Sequence, residues 1–288
     1  MNEAQTLLDI EKFMSSVSRR NYHWKDFESE YDQWLDDARK VYDAELEYSP
    51  LLQAYFDLMP ERIAWYDRTV FDDQRVFKGF QDSLRIRQQR FLNDLTAQIE
   101  DNSDQLSCYF NRLVEKHCKL LLVRVDLYYL FERSPSIRQF DQDVKKMINR
   151  IQNKDTVFKD QVGYAYRLEQ GGKSKGFHCH LLVIYNGSTR RNDSYLGQAI
   201  GELWEDQITR GCGYFYNCNQ KSHIKFYESL GKRGIGRLER KDTDLLGNAH
   251  TAIRYLAEPE KNNQYLRVRL AKMRAFSKGQ LKSRFRED

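Results

Sequence analysis

A short run near the middle of the chain, Gly176 to Tyr185, most constrains the fold. It places His178 and His180 one residue apart among apolar and aromatic residues, between Gly171-Gly172 and Asn186-Gly187. This pattern predicts one buried strand bounded by two turns. Because side chains alternate between the two faces of a strand, the two histidines share a face. Burying an imidazole without a partner costs about 1–3 kcal/mol, so the sequence predicts that this pair binds something.

The segment just upstream offers a third candidate ligand. Tyr164-Ala165-Tyr166-Arg167-Leu168-Glu169 is a second predicted strand, and the glycine-containing link after it returns the chain antiparallel beside the first. Glu169 then lies across from the two histidines, and the three side chains form a predicted site for a divalent cation. Mg²⁺ or Mn²⁺ is expected rather than zinc, because structural zinc sites favour four ligands including sulfur and Cys179 points to the opposite face. The alternative is a strand whose histidines hydrogen-bond within the core.

The order of predicted elements after the first third of the chain is typical of an α+β domain. The predicted strands lie at 120–130, 164–169, 176–185 and 213–218, with strand-edge material at 222–227, and the predicted helices lie at 134–151, 194–209 and 244–257. This order is the split βαβ pattern of a ferredoxin-like domain, an antiparallel sheet with helices mainly on one face. The open face of such a sheet is where a metal and a nucleic-acid strand would lie.

The first third of the chain carries no candidate catalytic constellation and is predicted to be helical. Apolar residues recur at three- and four-residue spacings in the segments 25–47, 74–99 and 103–118, with Asn102-Ser103-Asp104 as a possible helix cap. We therefore divide the chain into a helical accessory region at 1–118 and a second domain at 119–288, which contains the predicted sheet and a basic C-terminal tail.

The charge distribution favours a polyanionic partner. The formal net charge is +5, and basic residues concentrate at the C-terminal end, where Tyr265, Phe276 and Phe285 lie among them. Interleaved basic and aromatic residues are typical of nucleic-acid-binding surfaces, although a solvated charged tail fits the same composition. No apolar run approaches the ~20 residues of a membrane helix. The N-terminus has no apolar signal core and the 5 cysteines form no CxxC pair, which predicts a cytoplasmic protein.

A late helical segment, Asn248 to Lys261, carries the candidate nucleophile. Tyr255 lies within its amphipathic pattern, with Arg254 nearby. A tyrosine beside a metal-bound phosphodiester can attack phosphorus and form a covalent phosphotyrosine, which splits one difficult step into two easier ones. Simple packing is the alternative for any one of the 18 tyrosines.

Three segments, in order along the chain, resemble the motifs of a known enzyme family. Arg124-Val125-Asp126, then Glu169 with Gly176-Phe177-His178-Cys179-His180-Leu181-Leu182, then Arg254-Tyr255-Leu256 resemble the three motifs of HUH-type rolling-circle replication endonucleases. The layout is most similar to the inovirus-type replication proteins of filamentous phages, prophages and related mobile elements. The resemblance covers the chain from about Lys119 to Lys278.

The resemblance implies a site and an activity. In such enzymes two histidines and an acidic residue hold the divalent metal, and a tyrosine nicks one DNA strand, keeps the 5′-phosphate and frees a 3′-OH that primes synthesis. Carried onto this chain, the expected ligands are His178, His180 and Glu169, and the expected nucleophile is Tyr255. Single-stranded or origin DNA is the expected substrate. A host helicase and polymerase are expected partners, because the chain carries no helicase or ATPase motif.

The chain departs from the family pattern at two positions. Cys179 replaces the hydrophobic residue usual between the histidines, a conservative change for a buried site. Glu258 and Pro259 stand where a lysine is common after the tyrosine, so Lys261 is the remaining candidate for acid–base catalysis. Tyr265 is a second candidate nucleophile.

Basic residues near these motifs are candidate DNA contacts. Arg254, Lys225 and Arg233 are expected to contact phosphates and to make binding salt-dependent. The absent lysine supports a competing hypothesis, a catalytically degenerate nucleic-acid-binding or regulatory protein of the same fold. A zinc hydrolase acting on a small molecule is a third hypothesis.

Overall fold

The computed structural model describes residues 2–60, 70–171, 176–258 and 264–281. Its α-helices are, in chain order, α1 (Glu3–Val17), α2 (Phe27–Val41), α3 (Pro50–Asp57), α4 (Gln74–Lys116), α5 (Ile137–Gln152), α6 (Asp193–Glu202), α7 (Lys221–Ser229) and α8 (Thr243–Ala257). Its β-strands are β1 (Leu46–Tyr48), β2 (Lys119–Tyr129), β3 (Gln161–Gln170), β4 (Phe177–Asn186), β5 (Gly213–Asn217), β6 (Gly236–Glu239), β7 (Val268–Leu270) and β8 (Phe276–Lys278). The protein is therefore of mixed α+β class. None of the helices in these ranges combines the length and apolar character that crossing a bilayer requires.

One antiparallel sheet forms the centre of the protein. Its strands lie in the order β5-β2-β4-β3-β8. β5 pairs with the second half of β2 and β6 with its first half. The central strands β2 and β4 pair from Leu120 with Asn186 to Leu127 with Cys179. Their long apolar runs suit this position, because a strand at the centre of a covered sheet is buried on both faces. The strands predicted at 120–130, 164–169, 176–185 and 213–218 are confirmed.

One face of the sheet, here called the helix-packed face, is covered by helices. Alternate residues of β2 and β4 point to this face and are apolar, among them Leu121, Val125, Cys179 and Val183. They pack in one core with α1, α3, α5 and α6. Each large apolar side chain buried in this way stabilises the fold by about 1.5–3 kcal/mol, so this layer holds the sheet in place.

The opposite face, here called the site face, has an apolar half and a polar half. In the apolar half, Leu122 and Leu182 pack against α4 and α8 in a cluster that includes Ile253. In the polar half the same strands continue with Arg124 and Asp126 of β2, Arg167 and Glu169 of β3, and His178 and His180 of β4. Helix α8 ends where the polar half begins, and there Arg167 donates a hydrogen bond to the carbonyl of Ala257, the last residue of the helix.

The N-terminal helices share their core with the sheet. Aromatic residues such as Phe27, Tyr31, Tyr55 and Phe77 pack α1 to α4 together, in the same cluster that holds the apolar residues of β2 and β4. Strand β1 pairs antiparallel with β7, which ties the C-terminal part of the chain to the N-terminal region. The described residues of 1–118 and 119–288 thus have one continuous core, and the division into two domains stays a prediction.

Helix α4 corrects the prediction of two helices at 74–99 and 103–118. It runs for 43 residues without interruption, so Asn102-Ser103-Asp104 is not a cap. The hydroxyl of Ser103 instead donates a hydrogen bond of 2.9 Å to Oε1 of Glu258, just beyond the end of α8. Leu106 and Phe110 continue the helical spacing past the polar triplet and pack on the site face. Tertiary packing therefore overrides the local cap signal.

Helix α7 corrects the prediction of strand-edge material at 222–227. The rings of His223 and Tyr227, four residues apart, lie with their centroids 4.8 Å from each other on one side of the helix. None of the side chains of α7 is buried, so no sheet partner selects an extended form. The helix predicted at 25–47 is also shorter than expected, since α2 ends at Val41 and β1 follows at Leu46.

Candidate metal centre

Strand pairing brings Glu169, His178 and His180 together. In the register of β3 and β4, Glu169 pairs with His178 and Arg167 pairs with His180. Residues two apart on a strand share a face, so all four side chains lie on the site face. The expectation that Glu169 lies across from the histidines is confirmed by this register.

The three side chains turn their ligand atoms towards one point. Nε2 of His178 lies 3.3 Å from Oε2 of Glu169, and Nε2 of His180 lies 3.4 Å from the same oxygen. The three ligand atoms are within 4.8 Å of one another. Metal–ligand bonds of about 2.0–2.2 Å place neighbouring ligands roughly 3–3.5 Å apart in octahedral or tetrahedral geometry. Glu169, His178 and His180, here called the triad, therefore have the spacing to hold one metal ion.

Partners on the far side of each ring orient the histidines. Nδ1 of His180 lies 2.7 Å from Oδ1 of Asp126, and Nδ1 of His178 lies 3.3 Å from the carbonyl oxygen of Gly176. The Asp126 oxygen is off the N–H direction of the ring, yet at this distance its charge still favours a proton on Nδ1. A carboxylate or carbonyl in this position leaves the lone pair on Nε2. From these contacts we assign Nε2 as the ligand atom of both histidines.

The charges around the triad keep its carboxylates ionised. Burial by itself raises the pKa of Glu169, but the contacts with His178 and His180 and the charge of Arg167 together outweigh burial and lower the pKa. Burial also raises the pKa of Asp126, and the charges of Arg124 and His180 more than reverse that effect. Burial lowers the pKa of His180, while the charge of Asp126 raises it overall. A buried, ionised carboxylate beside two imidazoles is thus a site for positive charge.

Two arginines balance the buried carboxylates. Nε of Arg167 lies 2.8 Å from Oε1 of Glu169, and Nε of Arg124 lies 3.2 Å from Oδ1 of Asp126. Arg167 meets the oxygen of Glu169 that does not face the histidines, so the other oxygen remains for a metal. The Arg167 guanidinium also donates to the carbonyl of Ala257, which joins the site to the end of α8.

The donor set suits a divalent cation with open coordination positions. It consists of two imidazole nitrogens and one carboxylate oxygen. The sulfur of Cys179 lies on the helix-packed face, as predicted. Three protein ligands leave room for oxygens of a substrate. His178 is 1% exposed and stacks on the ring of Tyr128, whereas His180 is only partly buried, so the triad is open to solvent on the His180 side.

Tyr255 lies on α8 but outside the contacts of the triad. The helix buries the side that carries Ala249, Ile253 and Leu256, and Tyr255, on the other side, is 56% exposed. Among the described residues, the polar contacts of the triad are those given above, and the Tyr255 phenol is not one of them. The backbone of Ala257, two residues later, is the part of the helix that meets the site.

Tyr265 lies in a separate buried cluster on the side of the helix-packed face. Its phenol donates a 2.9 Å hydrogen bond to Oε1 of Glu11. Ser49 donates to the same oxygen, and Arg267 donates to Oε2 of Glu11. Arg267 lies over the Tyr265 ring and donates to the backbone oxygen of Gln170. Burial raises the pKa of Tyr265, and the charge of Glu11 raises it further. These contacts favour a structural role, because a nucleophilic phenol has to lose its proton. We call these five residues the Glu11 cluster.

The remaining predicted site residues are spread over the surface. Lys261 lies outside the described residues. Arg254 is exposed and pairs at 3.2 Å with a glutamate on the next turn of the chain. Lys225 is exposed on α7, and Arg233 pairs at 2.7 Å with a glutamate at the end of that helix. The structure therefore places Lys225 with its charge open to solvent, while the two arginines each have an acidic neighbour.

The basic C-terminal tail is in part a folded element. Arg267, counted in the sequence among its basic residues, is buried in the Glu11 cluster and is not a surface contact. Arg269 lies on β7, 3.6 Å from Glu47 of β1. These two residues serve to fix the C-terminal strands, because their charges are neutralised within the fold. Residues 282–288 lie outside the described residues.

The sequence interpretation gave no role at the site to three residues that the structure brings there. They are Arg124, Asp126 and Arg167. A signal was present for each of them. Arg167 is two residues before Glu169 in a predicted strand, and Arg124 and Asp126 are two apart within an otherwise apolar strand and must share a face. The same argument that paired the histidines therefore applies to these residues. Which face they share was decided only by the pairing of β2 with β4.

No protein-family model, curated protein or solved structure matches the chain. The triad, its two arginines and the end of α8 are therefore the basis for a functional assignment.

Proposed function

We propose that the chain is a metal-dependent enzyme of the HUH type that nicks and rejoins single-stranded DNA, with Tyr255 as nucleophile, and so initiates rolling-circle replication of a phage, prophage or other mobile element. The observation that carries this proposal is the convergence of Nε2 of His178, Nε2 of His180 and Oε2 of Glu169 on one point of the site face. A divalent Mg²⁺ or Mn²⁺ suits this set, because phosphate oxygens complete the coordination of such hard cations.

The arrangement of the strands supports the proposal. The four strands β2, β3, β4 and β5 lie in the spatial order β5-β2-β4-β3, with α5 between β2 and β3 and α6 between β4 and β5 along the chain. A βαββαβ chain with this strand order is what a ferredoxin-like sheet of the HUH type requires. The three motif segments lie on β2, on β3 with β4, and on α8, and the first two share the site face. Fold alone does not define function, so the argument depends on the triad.

The residues that would hold the metal have their positions set by neighbours. Asp126 and the carbonyl of Gly176 orient the two imidazoles, and Arg167 orients Glu169. When bound, the cation would withdraw charge from the scissile phosphate and lower the barrier to attack at phosphorus. Arg167 and Arg124 leave the site close to neutral before the phosphate arrives, which limits repulsion between the carboxylates and the DNA.

The chemical step transfers one phosphodiester from DNA to protein. The Oη of Tyr255 forms a bond to phosphorus, and the bond from phosphorus to the 3′ oxygen of the leaving strand breaks. The phenolic proton passes to water, which the exposure of Tyr255 permits, and the 3′ oxygen takes up a proton to become the 3′-OH. The products are a 5′-phosphotyrosine on the protein and a primer for a polymerase. The reverse reaction rejoins the strand.

A specific observation favours a second candidate function. The phenol of Tyr255 faces solvent, on the side of α8 away from the sheet, and is not among the contacts of the triad. A protein of this fold that binds nucleic acid without cutting it would tolerate that arrangement. An enzyme has to bring the phenol to the phosphate when DNA binds, by a change at the end of α8.

A covalent-adduct assay separates the two functions. Full-length protein is incubated with Mn²⁺ and a pool of random single-stranded oligonucleotides labelled at the 3′ end, because the protein keeps the 5′-phosphate side. We expect a labelled band that survives denaturing electrophoresis for wild type and Tyr265→Phe, and no such band for Tyr255→Phe or with EDTA. Absence of the band for a wild-type protein that binds DNA would leave the second candidate. Persistence of the band in a variant that lacks both phenols would show that neither Tyr255 nor Tyr265 is the nucleophile.

A further inference from the structure

An exposed group of aromatic side chains lies beside the site, at the edge of the sheet. Phe226 is 58%, Tyr227 39% and Tyr216 43% exposed, and together with His223 they occupy α7 and the edge strand β5. We call these four residues the aromatic shelf. Large aromatic side chains are normally buried, so a cluster of them on the surface calls for a partner that covers their rings.

Internal contacts hold the shelf in one arrangement. The hydroxyl of Tyr216 and Nδ1 of His223 lie 3.0 Å apart, which ties α7 to β5. The ring centroids of His223 and Tyr227 are 4.8 Å apart, and those of Phe226 and Tyr227 are 5.3 Å apart. Since none of the side chains of α7 is buried, the helix presents these rings to solvent without adding to the core. The shelf is thus preorganised for stacking with a flat ligand.

A row of stacked rings connects the triad to the strand that carries the shelf. The ring of Tyr128 stacks on His178 with centroids 5.5 Å apart, and on Tyr214 of β5 with centroids 5.1 Å apart. Tyr216, two residues after Tyr214 on the same face, pairs in register with Asp126. An extended ligand that lies along the shelf therefore leads to Asp126, whose carboxylate contacts His180.

The charge around the shelf is positive. Lys221, Lys225 and Lys232 are exposed on α7 and directly after it. In the described part of the chain no carboxylate lies within ion-pairing distance of these three lysines, and the nearest acidic side chain of the helix, Glu228, is engaged by Arg233 at 2.7 Å. Aromatic rings that stack with bases, together with lysines that follow the phosphates, are the two parts of a site for single strands.

We propose that the aromatic shelf binds the unpaired bases of single-stranded DNA by stacking, on the segment of the strand that leads to the triad. Duplex DNA does not fit this mode, because its bases are already stacked on each other. The placement of the strand relative to the triad rests on the proposed nicking function, but the stacking itself needs neither the metal nor Tyr255. Binding is tolerant of sequence, since every base has a π-face.

The test measures binding without cleavage. Full-length protein in EDTA is titrated into a fluorescent 20-nucleotide dT strand, and in parallel into an abasic strand of equal length and charge. Phe226→Ala is expected to weaken binding of the dT strand by roughly tenfold, equivalent to about 1.4 kcal/mol, and to leave binding of the abasic strand unchanged. Ile86→Ala, which shortens an exposed apolar side chain on α4, is the matched control and is expected to bind both strands as wild type does.

A lysine variant separates stacking from charge. Lys225→Gln is expected to weaken both strands alike and to reduce the slope of log affinity against log salt by about 0.7, whereas Phe226→Ala leaves the slope unchanged. Equal affinity of Phe226→Ala and wild type for the dT strand would overturn the proposal, and so would equal losses on the dT and abasic strands. A Phe226→Ala variant that sediments at a lower mass than wild type, with unchanged DNA affinity, would assign the shelf to contact between copies of the chain.

The two proposals fail separately. If wild type forms no covalent adduct but Phe226→Ala weakens binding of the dT strand alone, the stacking proposal is supported and the nicking function is contradicted. If wild type forms the adduct and Phe226→Ala binds the dT strand as wild type does, the nicking function is supported and the stacking proposal is contradicted.

Discussion

Two groups of buried charge lie on opposite faces of the same strand. Glu169 and Gln170 are neighbours in β3, and the first belongs to the triad while the second belongs to the Glu11 cluster. In the Glu11 cluster the carboxylate of Glu11 accepts from Ser49, Tyr265 and Arg267, so donors and acceptors are matched within the protein. Buried polar groups satisfied in this way fix a structure and have little left to bind with.

The triad differs because its acceptors face one another. When each ring carries its proton on Nδ1, beside Asp126 or the carbonyl of Gly176, the two Nε2 atoms and Oε2 of Glu169 are three acceptors around one point. Three acceptors at this spacing favour a shared cation, because a buried lone pair that is left unmatched is costly. Burial therefore does not distinguish structural from functional charge, whereas the balance of donors and acceptors does.

We expect the largest effect on stability from a substitution that breaks the Glu11 cluster. Arg267→Met should lower the free energy of unfolding by about 3–5 kcal/mol, because Glu11 is left buried without its counter-charge. Urea unfolding followed by circular dichroism measures the change. The double variant Glu11→Leu, Arg267→Met is expected to recover most of the loss. A loss below about 1 kcal/mol in the single variant would show that this cluster does not hold the fold.

The next effect concerns the metal and leaves the fold intact. His178→Ala should weaken Mn²⁺ binding by more than about 100-fold, since loss of a ligand exceeds the 10- to 100-fold cost of losing a ligand's partner. Titration calorimetry or the electron paramagnetic resonance signal of unbound Mn²⁺ reports the affinity. His23→Ala, which alters an exposed histidine of the N-terminal region, is the control and should bind Mn²⁺ as wild type does. Equal affinity of the two variants would remove the metal site.

A smaller effect is expected for the residue that orients His180. Asp126→Asn should weaken Mn²⁺ binding by about 10- to 100-fold, because the amide no longer holds the Nδ1 proton by charge. Asp143→Asn is the matched control, since Asp143 is also buried but accepts from Tyr129 on the other face. If both variants bind Mn²⁺ equally, Asp126 does not act through His180.

A substitution of Tyr265 tests the comparison between the Glu11 cluster and the triad through a smaller change in stability. Tyr265→Phe should lower the free energy of unfolding by about 1–2 kcal/mol through loss of its hydrogen bond to Glu11, with adduct formation retained. Thermal unfolding and the adduct assay measure the two outcomes. If Tyr265→Phe keeps full stability but forms no adduct, Tyr265 would have to be reassigned from a structural role to that of the proposed nucleophile.

The smallest effect is one of pH. Burial and then the charge of Glu11 raise the pKa of Tyr265 above its ordinary value of 10.0. The neutral phenol is therefore favoured in the folded protein, so its contribution is fully present below pH 10 and is lost as the pH rises further. Between pH 10 and 11 the wild type should lose up to about 1.4 kcal/mol more stability than Tyr265→Phe. Parallel pH profiles of the two proteins would contradict the assignment.

Local patterns in the sequence were sufficient to predict most of the sheet and the triad. Alternation along one strand places His178 and His180 on one face, and a short link to the strand before it sets Glu169 opposite. These inferences need only the period of a strand and the pairing of neighbours in sequence, so they survive folding.

Elements whose form depends on distant partners were harder to predict. Helix α4 passes through Asn102-Ser103-Asp104 because the sheet and α8 receive its apolar side, and α7 buries none of its side chains, so burial in a sheet does not select an extended form for it. The cap signal and the β-propensity of the segment 222–227 were local preferences, but each is worth no more than about 1–2 kcal/mol and is outweighed by packing.

The sequence by itself determined that two imidazoles and a carboxylate share one face of a sheet, and that tyrosines follow later in the chain. Only the tertiary structure decided which other residues surround them: it placed Asp126 beside His180, buried Tyr265 in a cluster with Glu11, and left Tyr255 at the surface. The reason is the distance along the sequence over which each feature is decided. Side-chain direction along a strand follows from the backbone of that strand, whereas the side chains that contact Glu11 are 38 to 256 residues away and are brought to it by the packing of the whole core.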